Sequence, residues 1–164
     1  MNQLPDFWRT EVFHPLSVHF PIAILLVAFL FKLIALGSAK EVWKQGGTIL
    51  LLLGTIGVWI AIYTGNLADG IVSRKICDPT VLKQHQNLAY VTAWLFTASL
   101  LLDLLKFSRI RLLTQKKNLL SILCIVTLSI GSGYLMYVGH LGATLVYQQG
   151  AGVYHPSGDC AEFN

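Results

Sequence analysis

Four of the five histidines lie at the ends of apolar segments, where imidazole side chains can bind metal ions or haem iron. His14 and His19 stand at the start of the first segment, His85 precedes the third, and His140 falls near the end of the fourth. If consecutive segments cross a membrane in alternating directions, all four histidines emerge on the same side. Because a histidine in a membrane-spanning helix is energetically costly, this cluster indicates a functional site.

The segments that must position these histidines are long enough to cross a bilayer. Hydrophobic residues make up 54% of the chain and charged residues 12%, with a mean hydropathy of +0.61, which excludes an ordinary soluble domain. The sequence therefore predicts an all-α membrane protein, a four-transmembrane-helix up-down bundle forming a single domain over residues 1–164. Its predicted spans are 15–36, 47–68, 86–106 and 119–147, followed by a tail at 148–164.

The basic residues predict the orientation of the bundle. Eight lysines and arginines fall on the side of the two short loops, and four fall on the side of the termini and the loop between spans two and three. Because cytoplasmic loops carry the excess of basic residues, we expect both termini outside and the histidine end facing the periplasm or exterior. The positive charge is therefore a topology signal, and no nucleic-acid partner is expected, since basic and aromatic residues are not interleaved on a polar face.

Two of the three cysteines fall on the predicted external side. Cys77 lies in the loop after the second span and Cys160 in the tail, whereas Cys124 lies inside the fourth span. An oxidising compartment permits a disulfide between Cys77 and Cys160. The alternative is two unpaired thiols, because sequence alone does not fix connectivity.

Helical periodicity predicts the inward faces of the third and fourth spans. On the third span, the polar residues share one line that begins at His85 and ends at Asp103, and Asp103 is expected to pair with Lys106. On the fourth span, the polar stripe that ends at His140 is predicted to face inward. The two stripes comprise His85, Ala89, Thr92, Phe96, Ser99 and Asp103 on the third span, and Ser129, Gly133, Met136, Tyr137 and His140 on the fourth.

Small residues line one face of the second span, and prolines accompany the histidines of the first. The small residues allow close approach either of another helix or of a flat cofactor. His14 and His19 are five residues apart, about 140° around a helix, so a regular helix cannot aim both at one ion. The small stripe consists of Gly54, Gly57, Ala61, Gly65 and Ala68.

Four motifs resemble one protein family. HPLSVHFP at 14–21, the pair Thr64–Gly65, HQNLA at 85–89 and LVYQQGAGV at 145–153 resemble a bacterial family of four-helix membrane proteins, domain of unknown function 2231. The family looks like a distant relative of the four-helix b-type cytochromes, whose bundle histidines bind haem within the membrane. The resemblance implies a multi-pass protein of the bacterial inner (cytoplasmic) membrane. The chain departs from two-haem members because its predicted cytoplasmic half has no histidine.

The histidine pattern therefore predicts a b-type cytochrome-like protein that binds haem b and relays electrons. We expect His19 and His85, on diagonal helices, to be the axial pair. His14 and His140 are expected to form a second pair, to hydrogen-bond a propionate, or to complete a metal site.

Two other interpretations remain open. A non-haem site for copper, zinc or iron would use the same histidines, His19 and His85 first, with Asp69 or Met136 as further ligands. Alternatively, the histidines are solvated at the interface of a cofactor-free structural subunit.

No catalytic motif is present in the sequence, so a stand-alone enzyme is less expected than a relay or subunit. The expected partners are the lipid bilayer and either quinone or another redox membrane protein. An oligomer is compatible with the sequence.

Overall fold

Four long helices make up the fold, which is described here from a computed structural model covering residues 7–108, 110 and 115–155. They are α1 (Thr10–Gly37), α2 (Glu41–Val72), α3 (Pro79–Leu105) and α4 (Lys117–Gln149). Each is long and apolar enough to cross a membrane. The predicted four-helix membrane fold is thus confirmed, whereas the orientation of the termini stays a prediction.

The helices begin two to seven residues before the predicted spans. α1 begins at Thr10, five residues before the predicted start, and continues through Pro15 and Pro21. Hydropathy marks where a segment enters hydrocarbon, but the backbone hydrogen bonds of a helix continue into the interface. Asp78 begins α3 by accepting a hydrogen bond from the Thr80 backbone N–H at 2.9 Å. Gly150, in the left-handed conformation with φ of 64°, ends α4.

The bundle consists of two helical hairpins, α1–α2 and α3–α4, whose helices pack closely, and the contact between the hairpins is looser. The small residues of α2 explain the first hairpin. A Cβ at Gly54 would lie 2.6 Å from the Leu25 side chain, and one at Gly57 would lie 3.1 Å from Pro21. The stripe of small residues therefore serves close helix packing, at least at these two positions.

The predicted inward face is confirmed for α3 and wrong for α4. Thr92, Phe96, Ser99 and Asp103 are at most 1% exposed. On α4, by contrast, all five residues of the predicted stripe are exposed, and Met136 is 69% exposed. The buried residues of α4 include Leu128, Gly131, Ser132, Leu135 and Val138.

Local hydrogen bonding explains why polarity misidentified the α4 face. The Ser129 hydroxyl donates to the Ile125 carbonyl 2.8 Å away, one turn earlier in the same helix. A serine satisfied in this way can face lipid at little cost. Tyr137 also has a partner for its hydroxyl, because the Gln84 side-chain amide donates to it at 3.3 Å.

Candidate functional site

Two histidines meet where α1 and α3 begin, which we call the histidine end of the bundle. The imidazole ring centroids of His14 and His85 are 6.0 Å apart and the ring planes are 84° apart. His14 belongs to the first hairpin and His85 to the second, so this contact joins the hairpins across the bundle diagonal.

Each imidazole is held by the backbone of the partner helix in its own hairpin. His14 Nδ1 lies 2.9 Å from the Ala61 carbonyl oxygen, and His85 Nδ1 lies 3.1 Å from the Val138 carbonyl oxygen. Because a carbonyl only accepts hydrogen bonds, Nδ1 must carry the proton in both rings. Each neutral ring therefore keeps a lone pair on Nε2, and among the described residues neither Nε2 has a hydrogen-bond partner. This is the arrangement of a metal-binding histidine with a supporting hydrogen bond.

A glycine makes room for each ring. A Cβ at Gly65 would lie 3.1 Å from His14 Cε1, and one at Gly142 would lie 3.3 Å from His85 Cε1. Both glycines stand one helical turn after the carbonyl that holds the ring. A side chain at either position would require the imidazole to shift by a few tenths of an ångström.

A hydroxyl pair fixes the turn of α1 that carries His14. Ser17 Oγ donates to the His14 carbonyl at 3.0 Å and lies 2.8 Å from Thr64 Oγ1, which in turn donates to the Ala61 carbonyl at 3.0 Å. Ala61 therefore receives hydrogen bonds from both Thr64 and His14. The motifs around residues 14 and 64 meet here, which links them to the position of His14.

The two imidazoles lie in a cavity of about 440 Å³ between the hairpins. This volume falls in the range of about 300–1,000 Å³ typical of small-molecule and cofactor sites. α1 and α3 supply the histidines, and the lining contributed by α2 and α4 includes six small residues. These small lining residues are Ala61, Gly65, Ala68, Gly139, Gly142 and Ala143.

A buried acid with two basic neighbours also lines the cavity. The Glu11 carboxylate is 3.7 Å from the Arg9 guanidinium and 3.8 Å from the Lys75 ammonium, and its side chain is 6% exposed. Arg9 Nη2 donates to the Gly152 carbonyl 3.4 Å away. These contacts bring the residues after α4 to the start of α1.

The pairing of the histidines differs from the expected one, because His14 and not His19 faces His85. His19 is exposed and lines the same cavity, and His140 is exposed and stacks on Tyr137 with ring centroids 6.5 Å apart. The reason is the early start of α1, which places His14 inside the helix and His19 about 140° away around it.

The other predicted ligands are dispersed. Asp69 lines the cavity, but Met136 lies on the outer surface of α4. Within residues 7–108, 110 and 115–155, no group of three or more histidine, cysteine or acidic side chains could hold a metal ion. Cys77 is exposed, and Cys160 lies outside the described residues, so the disulfide stays a prediction.

One buried polar cluster was only partly predicted. At the opposite end of the bundle, which we call the ion-pair end, Asp103 forms ion pairs with Lys106 and with Lys32. The Lys106 contact confirms the sequence prediction. Lys32 is one of the eight basic residues that the sequence assigns to the side of the short loops, but its side chain is 5% exposed.

Thr48 completes the cluster at the ion-pair end. Lys32 Nζ donates to Thr48 Oγ1 at 2.7 Å, and Thr48 Oγ1 donates to Asp103 Oδ2 at 2.6 Å. A spacing signal could have identified Lys32, since it follows His14 by 18 residues and Asp103 follows His85 by the same number. Eighteen residues are five helical turns, so each charged group shares a face with a histidine.

Comparison with known proteins supports the family resemblance. No curated protein and no solved structure matches the chain. One family model, described as predicted membrane protein (DUF2231), matches residues 11–155. That match spans all four helices and the residues of both hairpins that hold the histidine pair, and the chain therefore belongs to this family of membrane proteins.

Proposed function

We propose that the protein binds one haem b between His14 and His85 and relays electrons within the membrane. The observation that carries the proposal is the close pair of imidazoles on two diagonal helices, each with Nδ1 hydrogen-bonded and Nε2 unpaired among the described residues. Axial ligation of haem iron by two histidines needs two neutral rings on opposite sides of a slot.

The spacing of the rings supports iron between them. With metal–nitrogen bonds of about 2.0 Å and about 1.2 Å from nitrogen to ring centroid, two axial imidazoles would have centroids about 6.4 Å apart. The centroids of His14 and His85 are 6.0 Å apart. The centroid distance of the pair is therefore within a few tenths of an ångström of that of two axial imidazoles.

The number of ligands favours haem over a bare ion. The described residues offer no cluster of three metal-ligating side chains. A porphyrin supplies four nitrogen ligands itself and needs only two from the protein, whereas zinc sites use three or four protein ligands. The small residues of α2 and α4 provide space for the edges of a flat ring.

The proposed coordination of the iron and the position of the site support a relay function. Catalysis at the iron needs an open coordination position, and two axial histidines leave none. The protein would then pass electrons between quinone or a membrane partner and an acceptor. Within the described residues, the histidine pair lies at one end of the bundle, which supports a relay over a transmembrane chain of two haems.

The test is the absorbance spectrum of the full-length protein purified in detergent from cells supplied with a haem precursor. We expect a reduced-minus-oxidised spectrum with the α band of a low-spin b-type haem and about one haem per chain. A colourless protein that takes up no added haem would contradict the proposal.

A non-haem metal site is the second candidate, and one observation favours it. Two carboxylates, Glu11 and Asp69, line the same cavity as the histidine pair, so a modest rearrangement would supply oxygen ligands. Metal analysis of the same preparation distinguishes the two. Stoichiometric copper or zinc in a colourless protein would support this candidate and refute haem.

A further inference from the structure

The two hairpins repeat each other in structure. Four of the five buried residues of α1 have a buried counterpart in α3 exactly 71 residues later in the chain. These pairs are Pro21 with Thr92, Leu25 with Phe96, Ala28 with Ser99, and Lys32 with Asp103. The two helices therefore present the same face to the bundle.

The second helices of the hairpins show the same relation, with a shift of 77 residues. Every buried residue of α2 except Val72 has a buried counterpart in α4. Examples are Leu51 with Leu128, Gly54 with Gly131, and Thr55 with Ser132. Since α1 and α3 run in the same direction, the hairpins form a parallel repeat about a pseudo-two-fold axis along the helices.

The histidine site lies on this axis. His14 corresponds to His85, the Ala61 carbonyl corresponds to that of Val138, and Gly65 corresponds to Gly142. The walls of the cavity also come in pairs, such as Val58 with Leu135 and Ala68 with Leu145. A ligand bound by both histidines would therefore contact nearly the same arrangement of backbone and side-chain groups on each hairpin.

Six pairs of lining residues differ in polarity. In two of them the second hairpin carries the more polar group, Gln86 opposite Pro15 and Thr92 opposite Pro21, and in the other four the first hairpin does. Glu11 stands opposite Leu82, His19 opposite Tyr90, Asn66 opposite Ala143, and Asp69 opposite Val146. We call the four residues of the first hairpin the polar wall. The cavity is thus symmetric where it holds the imidazoles and asymmetric where it surrounds them.

We propose that the polar wall selects which face of the haem binds toward His14, an inference that rests on the proposed function. The two faces of haem b are not equivalent, because its vinyl and methyl groups are arranged without two-fold symmetry. Rotation about the pseudo-two-fold axis exchanges the faces and leaves the axial ligation unchanged. Only the asymmetric lining then distinguishes the two complexes, through the size and polarity of the groups that meet each porphyrin edge.

Proton NMR of the oxidised protein tests this inference, because the two face isomers give separate haem-methyl signals. In the native protein we expect one isomer to exceed the other by about tenfold or more. Two variants make the lining more symmetric by opposite routes. One replaces two residues of the wall by their counterparts (Asn66→Ala with Asp69→Val), and the other copies the same two residues onto the second hairpin (Ala143→Asn with Val146→Asp). Each variant removes two of the four wall differences, so both should lower the ratio toward one.

A two-fold-symmetric iron porphyrin, protohaem III, is the matched control. Its faces are identical, so it should give a single set of signals in the native protein and in both variants. Equal populations of the isomers in the native protein, or an unchanged ratio in both variants, would overturn the inference while leaving haem binding intact. Failure of the native protein to bind either porphyrin would refute the proposed function, and the inference with it.

Discussion

The two ends of the α1–α3 diagonal carry polar groups of different kinds on the same helix faces. His14 and Lys32 share a face of α1, and His85 and Asp103 share a face of α3, with 18 residues, or about 27 Å, between the members of each pair. At the ion-pair end, Lys32 is bound by Asp103 and Thr48, and Asp103 also by Lys106. At the histidine end, each ring uses one nitrogen and leaves the other without a partner among the described residues.

This difference separates a contact that holds helices together from one that can bind a ligand. A buried charge pair left incomplete destabilises the protein, so every charged group at the ion-pair end has a partner. A neutral imidazole with one nitrogen unpaired costs less, and the open nitrogen can serve as a ligand. We therefore expect substitutions at the two ends to affect different properties.

The largest effect on stability is expected at the ion-pair end. Asp103→Leu leaves the Lys32 ammonium buried without a counter-charge, and we expect a loss of about 3–5 kcal/mol in the free energy of unfolding. The double variant Lys32→Met with Asp103→Leu removes both charges, and its free energy of unfolding should be close to that of the native protein. Denaturant unfolding in detergent micelles measures both.

The exposed pair between Lys44 and Glu41 supplies the control. Glu41→Gln should change the free energy of unfolding by less than about 1 kcal/mol. The double variant at Lys32 and Asp103 should also keep the haem absorbance spectrum, because the histidine pair lies at the other end of the bundle. An Asp103→Leu protein as stable as the Glu41→Gln protein would show that the buried pair does not hold the helices together.

A smaller effect on stability, with a large effect on binding, is expected from Gly65→Ala. Its Cβ would lie 3.1 Å from the His14 ring, so the imidazole must shift by a few tenths of an ångström. We expect most of the bound cofactor to be lost, with about 1 kcal/mol lost in stability. Gly70→Ala, where a Cβ meets nothing within 4 Å, is the control on the same helix. Equal cofactor content in both variants would contradict this role of Gly65.

The smallest effect is expected at the N-cap of α3, away from the histidine pair and the ion-pair cluster. Hydrogen bonds from Thr80 hold the pKa of Asp78 below its usual range, so the carboxylate stabilises the fold above its unfolded pKa. That contribution is lost as the pH falls through the lowered folded pKa. Asp78→Ala should slightly lower the Tm at neutral pH, and its difference from the native protein should shrink in acid. Asp78→Asn, which keeps the cap, should behave similarly to the native protein at neutral pH.

The sequence predicts some parts of this molecule well, for physical reasons that can be stated. Hydropathy identifies the four helices because, apart from a closed β-barrel, only an α-helix satisfies all of its backbone hydrogen bonds inside a bilayer. The α3 face was predictable because Asp103 cannot face lipid without a large cost. On α4, Ser129 satisfies its hydroxyl within its own helix, so polarity does not indicate the inward direction.

The histidine pairing and the Lys32–Asp103 contact needed the three-dimensional arrangement. His14 and His19 are both histidines at the start of the first span, so residue type does not distinguish them. The start of α1 at Thr10 determines which one faces His85. Lys32 lies near a predicted loop, where a lysine is ordinarily solvated. Its burial depends on Asp103, 71 residues away in sequence.

The most direct test of the account compares the four histidines by spectroscopy of the full-length protein. His14→Ala and His85→Ala should each abolish the low-spin haem spectrum, because an axial ligand is lost. His19→Ala and His140→Ala should retain it, since neither residue is paired with His85. Retention of the spectrum in His14→Ala, together with its loss in His19→Ala, would contradict the ligand pair on which the account depends.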